Sequence, residues 1–467
     1  MKALLINPPT GLYVREDRCQ SSVGDFTVSV IRPPADLMLI AAGLEGIGVK
    51  CIIKDYPVEG GDWDIFKQEF LDFNPGLLIL SVTTPTLKND LLSCKIAKEV
   101  NPKVLTIAKG AHFLEYGRQI LEEFKDLDII IRGESEFAVR EIASSKDLST
   151  VKGIVYRLNN GQVKINADRP LLPDLDALPL PARHLIKNEL YTRPDIQEPM
   201  ALVETSRGCP GRCIFCLVRQ VAGEKIRNRS PQAIVQEIED CIKKYNIHNF
   251  HFKSDTFTWD KDWVIALCKE IIARKLKISW ICNSRVDTLD RERMAWMKEA
   301  GCFAIGLGIE SGNQEILNKI KKGITLEQSR QAVKLCRELK IKSYAYFIIG
   351  FPWDDLKSIN DSIEFAIEID PDFVDFFIPY PFPGTELDNI VKEQGLLNKV
   401  AEARAYSQPA LNTLFLSSEE LSGLRKKALK NFYLRPRYVI KTLLNASSPG
   451  VFINYLYYGI KTLKKIC

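Results

Sequence analysis

Short runs rich in Val, Ile and Leu alternate with amphipathic stretches along the first 145 residues. The runs predict strands, and the stretches, in which apolar residues recur every three or four positions, predict helices. We predict strands at Ala3–Ile6, Val49–Asp55, Leu77–Val82, Val104–Lys109 and Ile129–Arg132, and helices at roughly 36–47, 64–72, 87–100, 115–124 and 135–144. This βα alternation predicts a doubly wound parallel sheet, in which ligands bind at the carboxyl ends of the strands.

The alternation stops between residues 146 and 195. Here the turn Asn159-Asn160-Gly161 separates two β-rich runs, Val151–Leu158 and Gln162–Asn166, which predicts a hairpin. The Pro-rich stretch 169–181 that follows is typical of an extended linker. We therefore interpret residues 146–195 as a hairpin and linker between two domains.

A second βα alternation occupies residues 196–395. We predict strands at Ala201–Thr205, Phe250–Lys253, Ser279–Cys282, Ala304–Ile309, Tyr344–Ile349 and Phe373–Pro379, and helices at 231–245, 260–274, 290–300, 313–321, 326–339 and 354–369. Six βα units predict a partial (β/α)6 barrel with functional side chains at the carboxyl ends of its strands. The alternation is lost over residues 396–467, where Ser417–Glu420 resembles a helix start, so we expect a helical C-terminal extension. The predicted fold class is α/β throughout.

Three cysteines lie in a Gly- and Pro-containing loop directly after the first strand of this second domain. They are Cys209, Cys213 and Cys216, spaced C-x3-C-x2-C. An iron–sulfur cluster normally takes four cysteine ligands, so three would leave one iron with an open position for a substrate or cosubstrate. Structural zinc also takes four ligands, and no fourth Cys or His lies nearby, which favours the cluster over zinc.

This spacing, with Phe215 before the third cysteine and a strand before the loop, resembles the signature of the radical S-adenosylmethionine (SAM) enzymes. In that family the open iron chelates the amino and carboxylate groups of SAM, and one electron cleaves SAM to a 5′-deoxyadenosyl radical. The resemblance implies a 4Fe–4S cluster and a reductant such as flavodoxin or ferredoxin. It identifies no catalytic side chain.

The same resemblance implies that SAM is held at the strand ends of the barrel. The implied contacts are Asp255, Asn283, Arg285, Glu310, Ser311 and Gly350. An Arg can clamp the SAM carboxylate bidentately, and an acid can accept the ammonium or order the ribose. The sequence departs from the family at Ser254, where relatives often carry a second acid, and at Lys253, which is unusual there.

Placed before such a barrel, the first domain resembles the cobalamin-binding domain of the cobalamin-dependent radical SAM enzymes. The implied cobalamin contacts are Asn7, Pro8, Ser81, Thr83, Thr84, Gly110, His112, Gly133 and Glu134. The D-x-H-x-x-G loop that gives many cobalamin proteins a cobalt ligand is absent, because Gly110 stands two residues before His112 and Glu115 replaces the glycine. We therefore expect water or an apolar side chain beneath the cobalt. On fold alone, a flavodoxin-like domain without cofactor stays open.

The resemblance covers residues 1–395 and includes the magnesium-protoporphyrin cyclase and hopanoid-modifying branches of the family. It implies an enzyme that modifies an unactivated carbon, with methyl transfer as the commonest outcome and ring closure, oxidation or ether-bond formation as alternatives. A noncatalytic iron–sulfur and cobalamin sensor is an alternative from another class, and a zinc-stabilised protein without redox chemistry is a third.

Positive charge is concentrated at the C-terminal end of the chain. From Leu421 onward there are ten Lys or Arg residues and no Asp or Glu, although the whole chain is only +5. Because these charges are interleaved with aromatic residues such as Phe452 and Tyr455, they suit an anionic membrane surface. We expect peripheral membrane association, with a small-molecule or lipid-like substrate. A helical cap with a solvated basic face is the alternative.

The remaining features limit the compartment and partners. Twelve cysteines without regular pairing are typical of a reducing compartment, so we expect a cytoplasmic protein that is membrane-peripheral at most. No apolar run reaches the length of a membrane span. No nucleic-acid-reading element accompanies the basic residues, and we expect no nucleic acid partner.

Overall fold

Two mainly parallel sheets and a C-terminal group of helices make up the computed structural model. The structure describes residues 1–17, 19–145, 147–398, 409–444 and 448–466, with the backbone alone for 462–466. The predicted α/β class, with a doubly wound sheet, a partial barrel and a helical extension, is confirmed.

The first sheet has the strand order β2-β1-β3-β4-β5, with all five strands parallel. Its strands are β1 Lys2–Asn7, β2 Lys50–Asp55, β3 Leu77–Ser81, β4 Leu105–Lys109 and β5 Ile129–Ile131. Its helices are α1 Ala35–Glu45, α2 Tyr56–Glu59, α3 Trp63–Phe73, α4 Leu87–Val100, α5 His112–Glu123 and α6 Glu136–Ser144. The strand order reverses between β1 and β3, where an open α/β sheet leaves a crevice for a ligand.

The predicted hairpin is present and extends this first sheet. Its strands, β6 Ile154–Arg157 and β7 Val163–Ile165, are antiparallel, and β6 pairs with β5. Gly161 supplies the left-handed conformation of the turn, with φ +83°. The hairpin that we assigned to the connector therefore lies within the sheet of the first domain.

The second sheet has the order β16-β15-β14-β13-β12-β9-β8, in which six strands are parallel and β8 is an antiparallel edge. The strands are β8 Thr192–Arg193, β9 Glu198–Glu204, β12 Asn249–Lys253, β13 Ser279–Arg285, β14 Cys302–Glu310, β15 Lys342–Ile348 and β16 Phe373–Phe377; a small separate ribbon pairs β10 Ser206–Arg207 with β11 Arg227–Asn228. The helices are α7 Val218–Val221, α8 Pro231–Tyr245, α9 Lys261–Ala273, α10 Arg291–Glu299, α11 Gln314–Lys319, α12 Leu326–Glu338, α13 Leu356–Ile369 and α14 Glu386–Glu393. All six predicted strands and six predicted helices are confirmed.

The C-terminal extension consists of α15 Ser418–Tyr433, α16 Pro436–Leu444 and α17 Pro449–Ile466. The predicted helix start is confirmed by a capping box in which Ser417 and Glu420 cap each other's backbone amides. Helix α15 buries Leu421 and Phe432 against the barrel core. Helix α17 lies below the barrel, where Asn454 Nδ2 donates to the Asp195 carbonyl at 2.7 Å. None of the helices in the described ranges is long and apolar enough to cross a bilayer.

The segment between β1 and α1 leaves the first domain and lies against the free edge of the barrel. Phe26 packs edge-to-face on Phe377 of β16 with ring centroids 5.3 Å apart. The backbone amide of Thr27 donates to Asp375 Oδ1 at 2.8 Å. From the other side, Arg425 Nη2 donates to the Asp25 carbonyl at 2.8 Å. We call residues 25–32 the edge loop, because they cover the side on which the partial barrel is open.

Candidate functional site

The cysteine loop begins with a glycine that no other residue could replace without strain. Gly208 has φ +94°, and a Cβ there would lie 2.1 Å from the Lys225 carbonyl oxygen. Its amide donates to Asp255 Oδ2 at 2.7 Å. Cys209 Sγ lies 3.4 Å from the Thr256 hydroxyl. The end of β12 thus holds the start of the loop in place.

The three thiols lie close together, and a side chain on Gly211 would crowd two of them. A Cβ on Gly211 would lie 3.3 Å from Cys209 Sγ, 4.0 Å from Cys213 Sγ and 3.4 Å from Arg285 Nη1. No three His, Cys, Asp or Glu side chains within the described ranges are arranged to hold a single metal ion. Three neighbouring thiols are a donor set that fits a multi-iron cluster.

Burial and nearby cations have opposite effects on these thiols. Burial raises the pKa of Cys216 to about 12. It also raises the pKa of Cys213, although the charges of Lys322 and Arg285 oppose the shift. The two cations therefore stabilise the thiolate form that a metal ligand needs.

Arg285, the expected carboxylate clamp, ends β13 beside the cysteine loop. Its Nε and Nη2 donate to the two carboxylate oxygens of Asp287, each at 2.9 Å, and Nη2 also donates to the Lys322 carbonyl at 2.7 Å. Its Nη1 faces Gly211. The contacts to Asp287 and Lys322 fix the guanidinium, and the remaining edge is directed toward the cysteines.

Glu310 ends β14 in a conformation that is rare for a residue with a side chain. Its φ is +67°, and the pairing register with β15 shifts between Gly308 and Glu310. Strain of this kind clusters at functional sites. Its carboxylate accepts a hydrogen bond from Lys322 Nζ at 2.6 Å, and both side chains are buried. Burial lowers the pKa of Lys322, but Glu310 and then Cys213 raise it further than burial lowers it.

The other expected SAM contacts, Asn283, Ser311 and Gly350, contact other parts of the protein. Asn283 lies across from Gly306, where a Cβ would come within 2.2 Å of the Asn283 Oδ1. Ser311 lies within hydrogen-bonding distance of Ser362 and accepts from the amide of Asn313, so its hydroxyl is engaged within the protein. Gly350 has φ +99° and packs against Leu421 of α15. Asp255, Arg285 and Glu310 are thus the predicted residues that the structure gathers around the cysteine loop.

Between the two sheets lies a polar cavity of about 120 Å³. The carboxyl ends of both sets of parallel strands contribute to its wall. From the first domain come Asn7, Asp55, Lys109, Gly133 and Glu134, and from the barrel come Glu204, Arg207, Lys253 and Asp255. The ligand-binding edges of the two domains therefore face each other, with the cysteine loop beside the space between them.

A buried ion cluster connects the cysteine loop to the first domain. Arg207, two residues before Cys209, pairs with Glu134 at 3.1 Å, with Glu204 at 2.6 Å and with Glu136. Glu134 is also 2.9 Å from Arg227. Burial lowers the pKa of Arg207, but Glu136, Glu204 and Glu134 together raise it well above its ordinary value. The expected cobalamin contact Glu134 is, in this structure, a member of the ion cluster.

The hydroxyls expected to contact cobalamin are largely engaged in a network centred on Asp90. Ser81 Oγ donates to Asp36 Oδ2 at 3.0 Å, and the Thr83 hydroxyl lies 2.7 Å from that of Thr86, which donates to Asp90. Arg15 Nη1 donates to the Ser81 carbonyl at 2.7 Å and to Asp90 at 2.9 Å.

Three of the expected contacts keep a polar atom unpaired. Within the described ranges, Asn7 Oδ1, Thr84 Oγ1 and His112 Nδ1 are buried without a hydrogen-bond partner. Burial lowers the pKa of His112 to about 4, so its imidazole is neutral at neutral pH. Unpaired buried polar atoms are costly, and they fit an absent polar ligand such as a corrin with amide side chains.

The other expected cobalamin contacts, Gly110, Gly133 and Pro8, differ in the space around them. A Cβ on Gly110 would lie 2.2 Å from the Val82 carbonyl oxygen, so only glycine at this position lets the loop approach the end of β3. Gly133, with φ +89°, would meet nothing within 4 Å and borders open space. Pro8 is buried next to Asn7.

Sequence reasoning missed four charged residues of this region: Arg15, Asp90, Arg207 and Lys322. Arg207 stands next to the recognised motif, but nothing in its neighbours indicates a partner more than seventy positions earlier in the chain. Lys322 lies in an ordinary Lys321-Lys322-Gly323 run after α11. Only the spatial pairing of distant segments identifies these residues.

The sequence profile of the radical SAM superfamily matches residues 203–366, which contain all three cysteines. The chain is 31% identical over 454 residues to an uncharacterized methyltransferase of Pyrococcus horikoshii, with 95% of each chain covered. It is 27% identical over 365 residues to the anaerobic magnesium-protoporphyrin IX monomethyl ester cyclase of Rubrivivax gelatinosus, covering 76% of this chain and 65% of that protein.

Among solved structures, the fold matches the radical SAM methyltransferase TsrM from Kitasatospora setae, determined with cobalamin and a 4Fe–4S cluster bound. The TM-score is 0.71 at 16% identity, over 100% of this chain and 99% of that chain. This likeness concerns the fold of both domains. The identity to the Pyrococcus protein extends over nearly the whole of both sequences, and with the profile match it shows that the chain belongs to the radical SAM superfamily.

Proposed function

We propose that this protein is a cobalamin-dependent radical SAM enzyme that modifies an unactivated carbon of a small-molecule or lipid-like substrate by methyl transfer. The observation that carries the proposal is the arrangement of the two domains. The strand ends of a cobalamin-type sheet face the strand ends of a radical SAM barrel across one cavity, and the cysteine loop lies beside it. A methyl carrier and a radical source would thus be held against the same substrate.

In this proposal Cys209, Cys213 and Cys216 hold a 4Fe–4S cluster. When bound, the cluster supplies the one-electron cleavage of SAM chelated at its open iron. Arg285 and Lys322 place positive charge beside the thiolates and beside the site of the SAM carboxylate. Glu310 is fixed by Lys322 at the end of β14, where it can accept hydrogen bonds from a ribose. Asp255 fixes the loop through the Gly208 amide.

The first domain would bind cobalamin, which supplies the methyl group when bound. Asn7 Oδ1, Thr84 Oγ1 and His112 Nδ1 are the unpaired atoms available to it. Ser81 and Thr83 would shape the floor through the Asp90 network rather than donate directly. Gly110 and Gly133 would allow the backbone to approach the ligand. Arg207 would keep the two domains in a fixed relative position through its ion pair with Glu134.

Two further partners belong to the proposal. A flavodoxin or ferredoxin would supply the electron. Peripheral membrane contact would use α16 and α17, on which Ile440, Leu444 and Ile453 are 59%, 79% and 63% exposed among basic residues. Exposed aliphatic side chains interleaved with lysine and arginine suit the interface of an anionic bilayer.

The test is anaerobic reconstitution followed by measurement of iron, sulfide and cobalamin. We expect about four irons per chain and one cobalamin, with reductive formation of 5′-deoxyadenosine from SAM. Cys213→Ala should lose iron, whereas Cys336→Ala, which removes a buried thiol on α12 outside the cysteine loop, should keep it. Iron without cobalamin would refute methyl transfer through cobalt, and zinc alone would refute the whole proposal.

Ring closure is the second candidate reaction, because one of the relatives is an anaerobic cyclase that matches 76% of this chain. The two reactions differ in the fate of the SAM methyl group. With SAM carrying a deuterated methyl, label in the product supports transfer, and an unlabelled product that has lost hydrogen supports cyclisation.

A further inference from the structure

A second cavity, of about 330 Å³, lies inside the barrel and has a different character from the cavity between the sheets. Its wall consists mainly of aromatic and aliphatic side chains. The inward-facing residues of the strands line it through Ile281, Ala304, Tyr344, Tyr346 and Phe373. A closed (β/α)8 barrel fills its interior with side chains, whereas this partial barrel, with six parallel strands, leaves an apolar space. We call it the lumen.

Two segments outside the barrel close the lumen. The edge loop covers the open side through Phe26, Val28 and Val30. The amino-terminal end of the barrel is covered by α16 and α17, through residues that include Val439 and Tyr455. The C-terminal extension is thus the base of the cavity rather than an appendage.

The lumen lies next to the proposed SAM site. Asn283, an expected SAM contact two positions before Arg285 on β13, lines it. Val14 and Arg32 line both the lumen and the polar cavity between the sheets. A molecule in the lumen would therefore present one end to the place where the two domains face each other.

Few polar groups in the lumen are available to a ligand. Arg193 donates to both oxygens of Asp195 and stacks on Phe303 with its guanidinium carbon 3.6 Å from the ring centre. Arg32 is paired with Glu16 at 2.7 Å. The Tyr344 hydroxyl is buried without a hydrogen-bond partner within the described ranges. His251, Asn283 and Lys342 also line the lumen, but its surface is mainly hydrocarbon, with the Tyr344 hydroxyl as an unpaired polar group among the described residues.

We propose that the lumen binds the hydrocarbon portion of the substrate, with its reactive carbon at the Asn283 end. At roughly 30 Å³ for each water-sized group, the cavity accommodates a chain or ring system of about ten carbon atoms. The position of the reactive carbon rests on the function proposed above, whereas the binding of hydrocarbon in the lumen does not.

The outer face of the base indicates where the hydrocarbon comes from. Ile440 and Leu444 of α16 and Ile453 and Tyr457 of α17 are exposed, while Tyr438 and Tyr455 of the same helices face the lumen. Helices that are apolar on both faces suit a position between a bilayer and a hydrocarbon site. The substrate class is thus the hydrocarbon part of a membrane lipid.

The test measures binding of n-alkanols from hexanol to tetradecanol, below their solubility limits, to the full-length reconstituted protein by displacement of dansyl-labelled undecanoic acid. Each methylene that enters an apolar site should lower Kd by about fourfold, until the lumen is full at about ten carbons. Ala304→Leu adds three carbon atoms to the lumen wall. In this variant the plateau, which is the chain length beyond which Kd stops falling, should be about three carbons shorter.

Two helical glycines supply a matched pair of variants. A Cβ at Gly459, which lines the lumen on α17, or at Gly423 on α15, which does not, would meet nothing within 4 Å. Gly459→Phe should raise the Kd for decanol by at least tenfold, and Gly423→Phe should leave it unchanged. Both variants should retain iron, and Gly423→Phe should also retain SAM cleavage.

The outcomes separate this inference from the proposed function. Chain-length-dependent binding that Gly459→Phe weakens supports the lumen site, even in a preparation that fails to cleave SAM. Normal SAM cleavage with no alkanol binding, or with binding that Gly423→Phe weakens as much as Gly459→Phe, overturns it. An unchanged plateau in Ala304→Leu also overturns it.

Discussion

Removing the charge of Arg207 tests whether the buried ion cluster holds the two domains together. The guanidinium contacts three carboxylates, Glu134, Glu136 and Glu204, and its side chain is only 12% exposed. Arg207→Met keeps most of the side-chain volume and removes the charge. Removing one partner of a buried ion pair leaves the other charge uncompensated, which costs about 3–5 kcal/mol.

The remaining contacts indicate which carboxylate is affected most. Glu134 keeps Arg227 at 2.9 Å, and Glu204 keeps Lys253 at 3.0 Å. For Glu136 the described ranges contain no second ion pair. We therefore expect Arg207→Met to lower the free energy of unfolding by about 3–5 kcal/mol, and the double variant with Glu136→Gln to recover about 1–3 kcal/mol of it.

Urea unfolding of the apo protein under reducing conditions measures these values. The matched control is Arg118→Met, which removes an Arg from the exposed pair with Glu122 on α5, where the Arg side chain is 61% exposed. A surface pair of this kind contributes less than about 1 kcal/mol. The reasoning is refuted if Arg207→Met destabilises no more than Arg118→Met, or if Glu136→Gln worsens the loss.

Three other predictions use the same structure. Burial raises the pKa of Glu204, but Arg207 and Lys253 lower it further, from 4.5 to about 2. The contribution of Glu204 to stability is therefore complete above about pH 4.5 and is lost as the pH falls toward 2. The difference in unfolding free energy between wild type and Glu204→Gln should shrink on acidification, and a constant difference would contradict this. Gly208→Ala, whose Cβ would meet the Lys225 carbonyl at 2.1 Å, should abolish cluster incorporation measured by iron content, whereas Gly48→Ala, with φ +79° and nothing within 4 Å, should retain it. Bound cob(II)alamin should show no histidine nitrogen splitting in its electron paramagnetic resonance spectrum, in wild type and in His112→Ala alike, and a splitting that disappears in the variant would make His112 the cobalt ligand.

The elements of this fold were predictable because their hydrophobic periods are strong. Strands such as Leu77–Ser81 are buried at every position and read as continuous apolar runs, and the helices between them have one apolar face. Among the longer helices, α14 was not predicted, and the helical C-terminal extension was predicted without bounds for α16 and α17. Aromatic and β-branched residues such as Tyr438, Val439 and Tyr455 favour strands as well as helices, so the bounds of these two helices were not evident from the sequence.

The candidate site was predictable where its residues are close together in sequence. The spacing of Cys209, Cys213 and Cys216 is visible in the sequence itself. Asp255 and Arg285 lie at or just after the ends of apolar runs. Glu310 was expected at its strand end, but its partner Lys322 was not, since the pair forms only when α11 returns to the barrel. The lumen is formed by the edge loop, the barrel strands and the C-terminal helices, which are far apart in the sequence. No local sequence pattern predicts that these segments enclose a cavity.

The edge loop also affects the order in which the protein can fold during synthesis. Thr27 bonds Asp375, which is 348 positions later in the chain, and Asp25 receives the Arg425 side chain, 400 positions later. At about 5–20 residues per second, the ribosome takes tens of seconds to supply these partners after the loop emerges. Until then the first domain can form its sheet, but the loop must remain undocked with Phe26 and Val28 exposed to solvent. Closure of the barrel therefore belongs to the last stage of folding, and a nascent chain arrested before α15 would present an open hydrophobic barrel to chaperones.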